Sequence, residues 1–333
     1  MKHNISNKIY YEKLDGIRAY ACLGIVFMHI LANGDFGLSG FLFEKFIPFF
    51  SSFVSLFMIL SSFSMCCGYY EKVVTGNFDL EKFYIRRYHR IFPFFALLCT
   101  IELIYHFDLN SLFDWFADLT LAFGFIPNNH IEIIGVGWFI GIVFIFYMLF
   151  PFFVFLIKNK KRAWLALFVA VSLNFLCLIH FHDAIGRSVF IYSFMYFVAG
   201  GLIYKYRDKL SDPNLFIPSV FLSLLVLSAY FYYLPFEYTL LVLFSFITVI
   251  GISSGGGGIS SFLLCSKFIK YIGTISLEVY LCHMFIFRII QKLNMLHMME
   301  YQIVNYILAC VLTIIGACVF AVLSKKFLSY IKF

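Results

Sequence analysis

The sequence predicts an all-α, polytopic integral membrane protein with about ten transmembrane helices. Of its 333 residues, 62% are hydrophobic and only 13% are charged, and the mean hydropathy is +0.90. A soluble domain carries about 25% charged residues. The apolar residues form runs of about 16 to 22, the length that a helix needs to cross about 30 Å of hydrocarbon. Barrel strands would alternate in segments of about ten residues, so the pattern favours helices.

Polar or basic stretches separate the apolar runs, and each run is interpreted as one span. The predicted spans are 14–33, 46–67, 91–107, 137–157, 163–181, 188–204, 215–233, 237–254, 271–290 and 302–323. The segment from Asp108 to Phe125 is too polar to span and is predicted to be interfacial or re-entrant. No long polar region is present, so residues 1–333 are predicted to form a single transmembrane domain.

Charge asymmetry gives the predicted orientation. Alternate connections and the C-terminus hold most of the basic residues: Lys72, Lys82, Arg86, Arg87, Arg90, Lys158, Lys160, Lys161, Arg162, Lys205, Arg207, Lys209, Lys267, Lys270, Lys325 and Lys326. The opposite connections hold fewer: Lys45, Arg187, Arg288 and Lys292. The positive-inside rule then places both termini in the cytoplasm, which agrees with an even number of crossings. The net charge of +7 is explained by topology, so no nucleic-acid partner is expected.

The nine cysteines indicate neither a metal site nor a disulfide framework, because they lie mostly inside apolar runs without paired spacing. They are interpreted as small packing residues. The segment Ser253–Gly258 is rich in glycine and is predicted to be a flexible cytoplasmic link, because no Lys-Ser/Thr follows at the spacing of a phosphate-binding loop.

The first predicted helix carries three ionisable residues, Asp15, Arg18 and His29. Such groups are costly in lipid, about 2.5–3.5 kcal/mol each, so they are candidates for function. Arg18 and His29 are eleven residues apart, which returns to within about 20° of the same helix face and separates them by about 16 Å along the axis. Asp15 precedes Arg18 by three residues and can pair with it. The alternative is structural: Arg18 snorkels to the interface and His29 hydrogen-bonds a neighbouring helix.

Four segments together resemble the acyltransferase-3 family, membrane proteins that O-acylate cell-surface sugars. They are the first-helix Leu14-Asp15-Gly16-Ile17-Arg18 followed by His29, the second-helix segment Ser55–Phe63, the basic segment Phe83–Pro93, and the late Tyr280-Leu281-Cys282-His283. Their order and spacing cover nearly the whole chain. Two positions depart from the family pattern: Ser62 stands where glycine is common, and Val143 stands where an acidic residue is common.

The resemblance implies an O-acetyltransferase of the bacterial cell membrane. The donor would be acetyl-CoA, or another acyl-CoA, used as a substrate with no permanently bound cofactor and no metal. The acceptor would be a hydroxyl of a cell-surface or lipid-linked glycan, and the sequence does not indicate an oligomeric state. Within this expectation His29 serves as base or acyl carrier, while Arg18 binds donor phosphate or thioester oxygen and Asp15 holds Arg18 in place.

Three arginines, Arg86, Arg87 and Arg90, precede the third predicted span and are interpreted as the site for CoA phosphates. The alternative is that they only fix the orientation of the span. On the opposite side, Trp138, Glu132 and His283 are candidate substrate-binding residues. Trp138 could instead be an interface anchor, and His283 could be a core hydrogen-bonding group.

A transporter or flippase for a lipid-linked sugar or another small solute is the alternative function, since it would also need a polar cavity within the membrane. Such proteins are built with interrupted helices near the midplane. The sequence shows no matching pair of interrupted spans, and this favours the enzyme.

Overall fold

The computed structural model describes residues 10–121, 123–125, 133–181, 185–296 and 298–330, and all regular structure in these ranges is helical. The α-helices in chain order are α1 (Glu12–Asn33), α2 (Ile47–Phe49), α3 (Phe53–Val74), α4 (Leu80–Tyr105), α5 (Leu109–Leu119), α6 (Trp138–Leu156), α7 (Lys160–His180), α8 (Phe190–Leu210), α9 (Phe216–Tyr232), α10 (Glu237–Ile252), α11 (Gly257–Cys265), α12 (Lys267–Thr274), α13 (Ser276–Lys292) and α14 (Gln302–Tyr330).

Length and composition make this a multi-pass membrane protein. Within the described residues six helical segments are long and apolar enough to cross a bilayer, or up to eight if each of two bent helix pairs counts as one span. The predicted spans 91–107 and 188–204 fall in α4 and α8. These two helices are not among the candidate spans, although their side chains Phe95 and Phe197 are fully buried inside the bundle. The count of ten crossings and the cytoplasmic placement of both termini stay predictions.

The expectation of an uninterrupted span is wrong at one place, within 271–290, whereas a second bend lies in the predicted link over 253–258. Helices α10 and α11 meet at 107°, and α12 and α13 meet at 77°, where the sequence predicted one continuous span over 271–290. Gly256, with φ of 89°, allows the first break, and the second lies at Ile275, between the last residue of α12 and the first of α13. The two breaks belong to four consecutive helices, so they do not form the matching pair in two halves that is typical of transporters.

Helix α1 lies at the centre of the packing and contacts α3, α10, α11, α12, α13 and α14. Two glycines make the close approach possible. A Cβ at Gly16 would overlap the carbonyl group of Leu264 on α11, and a Cβ at Gly273 on α12 would overlap the carbonyl group of Asp15. The backbones of α11 and α12 therefore hold the first turns of α1, where Asp15 and Arg18 lie.

Side-chain caps fix the start of three helices that flank the bundle. The side chains of Asp79, Asp108 and Asn159 accept hydrogen bonds from the backbone three residues later, at 3.0, 2.7 and 2.9 Å, as N-cap residues do. Asp108 begins α5, which has only 11 residues and is too short to cross the hydrocarbon core. The polar segment after Asp108 is therefore a short helix beside α4, in line with its predicted interfacial character.

Candidate active site

A cavity of about 470 Å³ lies between α1, α3, α4, α6, α12 and α13, and we call it the central cavity. Its charged lining residues are Asp15, Arg18, Arg87 and Arg90. Arg90 keeps 40% of its side chain exposed, so the cavity has an open side at the end of the bundle that the charge distribution predicts to be cytoplasmic. Three cations face one carboxylate, and the lining therefore favours an anionic ligand.

Small residues of α3 give the cavity room. Ser61, Ser64 and Gly68 follow one another at spacings of three and four, which places them on one face of the helix, and all three line the cavity. Val143 on α6, where the family pattern is acidic, also lines it. This position therefore supplies no carboxylate to the central cavity.

Arg18 is held by two side chains. Its Nη1 donates to Asp15 Oδ1 at 2.6 Å, as the three-residue spacing predicted, and its Nη2 donates to Ser64 Oγ at 2.5 Å. Asp15 is buried and also accepts a hydrogen bond from Tyr10. The guanidinium of Arg18 is thus locally balanced by a carboxylate.

Arg87 differs from the other cavity cations because no carboxylate pairs with it in the part of the chain that the structure describes. Its guanidinium carbon lies 5.4 Å from the ring centroid of Tyr69 and 5.7 Å from that of Tyr147. Nη2 donates a long hydrogen bond of 3.4 Å to the Tyr69 hydroxyl, and the buried Nε has no partner among the described residues. Arg87 is thus a cavity cation that no described carboxylate balances, which favours an anionic ligand.

Arg90 and Arg86 have different surroundings. Arg90 donates to Glu278 Oε1 on α13 at 2.6 Å, and Lys325 on α14 approaches the same oxygen at 3.1 Å. Glu278 is 3% exposed, so this carboxylate is buried beneath the two cations. Arg86 is exposed and does not line the cavity. The predicted arginine triplet therefore divides into two cavity residues and one outer residue.

Three aromatic side chains form the deep end of the cavity, and we call them the aromatic floor: Phe57, Phe139 and Tyr280. Their ring centroids are 5.7 to 6.4 Å apart, and all three side chains are buried. The Tyr280 hydroxyl donates to the Val136 carbonyl at 2.9 Å. The aromatic floor lies between the cavity arginines and a pair of histidines further along α1 and α13.

The pair of histidines is formed by His29 and His283. The ring of His29 on α1 lies 5.2 Å from the ring of His283 on α13, and His283 lies 6.1 Å from Tyr280. His283 is fully buried, whereas His29 is half-buried. His29 is not among the residues that line the central cavity, so in this conformation the aromatic floor stands between it and Arg18.

A family model described as an acyltransferase domain matches residues 11–322, which includes every predicted site residue. The chain belongs to the acyltransferase-3 family. No curated protein and no solved structure matches the chain. Family membership and the apolar helices together make this protein a membrane acyltransferase.

In this acyltransferase Trp138 lies beside a cation. The guanidinium of Arg187, just before α8, lies 5.4 Å from the Trp138 ring at the start of α6. Arg187 entered the sequence analysis only as a loop charge. The role of Trp138 in substrate binding stays a prediction. Glu132 lies outside the described residues.

Sequence reasoning missed Tyr69 and Tyr147, which contact Arg87, and it did not pair Glu278 with Arg90. Their signal in the sequence is weak, because tyrosines and a single glutamate in apolar helices have many structural uses. Only the contacts between helices show that Tyr69 and Tyr147 contact Arg87 and that Glu278 pairs with Arg90.

Proposed function

We propose that this acyltransferase transfers an acetyl group from acetyl-CoA to a hydroxyl of a cell-surface or lipid-linked glycan. The observation that carries the proposal is Arg87, a cavity cation with two tyrosine contacts and no carboxylate partner among the described residues. Acetyl-CoA is a substrate here, and no permanently bound cofactor is part of the proposal.

The charges of the cavity suit a phosphate-bearing donor. Arg18 and Arg90 each have a carboxylate partner, at 2.6 Å in both pairs, so their positive charge is largely compensated. No described carboxylate compensates Arg87, and its Nε is an unsatisfied buried donor. A phosphate of CoA would supply the anionic partner that Arg87 lacks. Charge-assisted hydrogen bonds from a guanidinium to phosphate are among the stronger polar contacts in proteins.

From the phosphate bound at Arg87, the pantetheine arm would extend along the cavity toward the aromatic floor. The α3 face of Ser61, Ser64 and Gly68 leaves space along the cavity wall, and the cavity ends at the aromatic floor. The acyl group would then arrive at Phe57, Phe139 and Tyr280, with His29 behind them. The rings of the floor have to move for the thioester to reach His29, and binding of the donor supplies the driving force for that movement.

The reaction needs one base. The acceptor hydroxyl oxygen attacks the thioester carbonyl carbon, the carbon–sulfur bond breaks, and the sulfur leaves as the thiolate of CoA. His29 takes the hydroxyl proton and returns it to the thiolate or to water. The alternative role for the same residue is that of a carrier, in which His29 first accepts the acyl group on a ring nitrogen and then passes it to the hydroxyl.

The test compares three sets of host cells that carry an empty vector, the wild-type gene or the His29→Ala variant. Mass spectrometry of membrane-associated glycans measures their O-acetyl content. We expect acetylation in the wild-type cells alone, with equal amounts of the two proteins in the membrane. Equal acetylation in wild-type and His29→Ala cells would remove His29 from the mechanism. Glycan translocation without any change in acetylation would favour the transporter.

A further inference from the structure

His283 has a hydrogen-bonding arrangement that fixes where its ring proton lies. Its Nδ1 is 2.6 Å from the carbonyl oxygen of Tyr280, one turn earlier on α13. A carbonyl oxygen only accepts, so Nδ1 must carry the proton. In the neutral ring Nε2 is then a bare acceptor. It is buried and has no partner among the described residues.

An unsatisfied acceptor in the interior costs free energy and calls for a donor close by. Two aromatic rings contact His283 within the described structure, those of Tyr280 and His29. Tyr280 directs its hydroxyl to the carbonyl oxygen of Val136 at 2.9 Å. His29 is half-buried, and its ring has an N–H in either tautomer.

We propose that His283 is a positioning residue for His29: its Nε2 accepts the N–H of His29 and so orients that ring. The second nitrogen of His29 is then left unprotonated and directed away from His283, toward the acceptor. This inference rests on the proposed function, because it assigns His29 as the base. A base that is oriented by a third group is the usual arrangement of nucleophile and base in acyl transfer.

The ring centroids are 5.2 Å apart and tilted by 43°, so a rotation of His29 is needed to form the bond. Contacts between catalytic groups are commonly long without substrate and tighten when it binds. The proton balance is simple. His29 keeps the proton that it donates to His283, gains one proton from the acceptor hydroxyl at its other nitrogen, and loses that proton when the thiolate of CoA departs. His283 stays neutral throughout.

Three substitutions at the same position separate this role from packing. In His283→Gln the amide oxygen can lie near the place of Nε2 and can accept the proton of His29. In His283→Asn the shorter amide can still donate to the Tyr280 carbonyl but cannot reach His29. In His283→Leu both hydrogen bonds are lost and only an apolar volume remains.

The expected result in an acetyl-CoA transfer assay with purified protein in lipid nanodiscs is a selective loss of kcat. General-base catalysis contributes roughly 100-fold or more, so His283→Asn and His283→Leu should lose about 100-fold in kcat with KM for acetyl-CoA unchanged. His283→Gln should regain at least a tenth of the wild-type kcat. Equal activity of the Gln and Asn variants would overturn the proposal, because only the Gln side chain can accept the hydrogen bond from His29.

A second measurement does not depend on activity. Nitrogen-15 NMR of histidine-labelled protein reports the protonation and hydrogen bonding of each ring nitrogen. We expect His283 with a protonated Nδ1 and a hydrogen-bonded bare Nε2, and we expect the Nε2 signal to shift in the His29→Phe variant. An unshifted Nε2 signal, or a protonated Nε2, contradicts the inference. Failure of acyl transfer by the wild type, with the NMR result as expected, would instead contradict the proposed function.

Discussion

Arg90 on α4 donates to Glu278 on α13 at 2.6 Å, and this ion pair joins two helices that are 188 residues apart in the chain. Lys325 on α14 reaches the same carboxylate, so one buried glutamate connects three helices at the open side of the central cavity. The pair also explains why Arg90 and Arg87, one turn apart on α4, are not equivalent. Glu278 pairs with Arg90, whereas no carboxylate among the described residues pairs with Arg87.

The first prediction concerns donor affinity. Arg87→Ala should weaken acetyl-CoA binding by about 10- to 100-fold, because a hydrogen bond to a charged group contributes about 1.5–3 kcal/mol. Equilibrium binding to protein in lipid nanodiscs measures the Kd. The matched control is Arg86→Ala, which removes an exposed arginine of the same helix that does not line the cavity. Equal Kd values for the two variants would contradict the assignment of Arg87.

Glu278→Gln should destabilise the protein. The change removes the carboxylate that two cations share, and the expected loss is about 1–3 kcal/mol because both cations keep access to water. Thermal unfolding in detergent measures it. The control is Glu12→Gln, which breaks the exposed pair between Glu12 and Lys270 and should leave the melting temperature nearly unchanged. A melting temperature for Glu278→Gln that matches the control would show that the buried pair contributes nothing.

We expect the aromatic floor to limit the length of the acyl chain that the enzyme transfers. Phe139→Ala removes a ring at the deep end of the cavity and should raise kcat/KM for butyryl-CoA relative to acetyl-CoA by about 10-fold, since an additional methylene in a pocket is worth about 1–3 kcal/mol. The control is Phe144→Ala, which removes a ring of the same helix that does not line the cavity. Unchanged selectivity in the Phe139 variant, or an equal change in both, counts against the position of the acyl group.

The backbone contact between α1 and α11 can be tested through Gly16. Gly16→Ala places a Cβ on the Leu264 carbonyl and should cost about 1–3 kcal/mol through overpacking. Gly258→Ala, on α11, has open space around the added methyl group and should be neutral or slightly stabilising. The two melting temperatures, measured in the same detergent, are compared with that of the wild type. Equal stability of both variants would show that the backbones of α11 and α1 are not in close contact at Gly16.

A pH dependence is expected at α5, outside the candidate spans. Burial raises the pKa of Asp118 from 3.8 to about 7, although the backbone N–H of Ile133 donates to its Oδ2 at 3.0 Å. The folded state therefore binds the proton more tightly than the unfolded state. Protonation of Asp118 therefore stabilises the folded state. This contribution to the free energy of unfolding is complete below pH 3.8 and is lost as the pH rises through about 7.

Asp118→Asn should remove this pH dependence. The variant is expected to be more stable than the wild type at pH 8 and close to it at pH 4, because the amide stays neutral at both values. Melting temperature as a function of pH measures the difference. Parallel profiles for the two proteins would contradict a buried, protonated Asp118.

The sequence predicted those parts of the site that depend on one helix. The pairing of Asp15 with Arg18 follows from a spacing of three, and the structure gives 2.6 Å between them. The contact between His29 and His283 could not be predicted, because it joins helices far apart in the sequence and depends on how α1 and α13 pack. The same holds for Arg87, since helical spacing separates it from Arg86 but does not say which face meets a cavity.

The break at Ile275 was missed for a physical reason, whereas Gly256 lies in the segment that was predicted to be a link. Hydropathy measures the length of an apolar run, and a bent helix pair has the same composition as a straight span. Glycine near a helix end was the available signal, and it was interpreted as a link rather than as the start of α11. The bend matters for the site because it brings Gly273 and Tyr280 to the cavity.

The most direct test of the central claim uses an acyl-CoA analogue with a photoreactive group at the acyl end, followed by mass spectrometry of the labelled peptides. We expect cross-links to the aromatic floor, at Phe57, Phe139 or Tyr280, and their loss in the Arg87→Ala variant. Cross-links confined to the outer helices α7 or α9, at equal yield in both proteins, would contradict it.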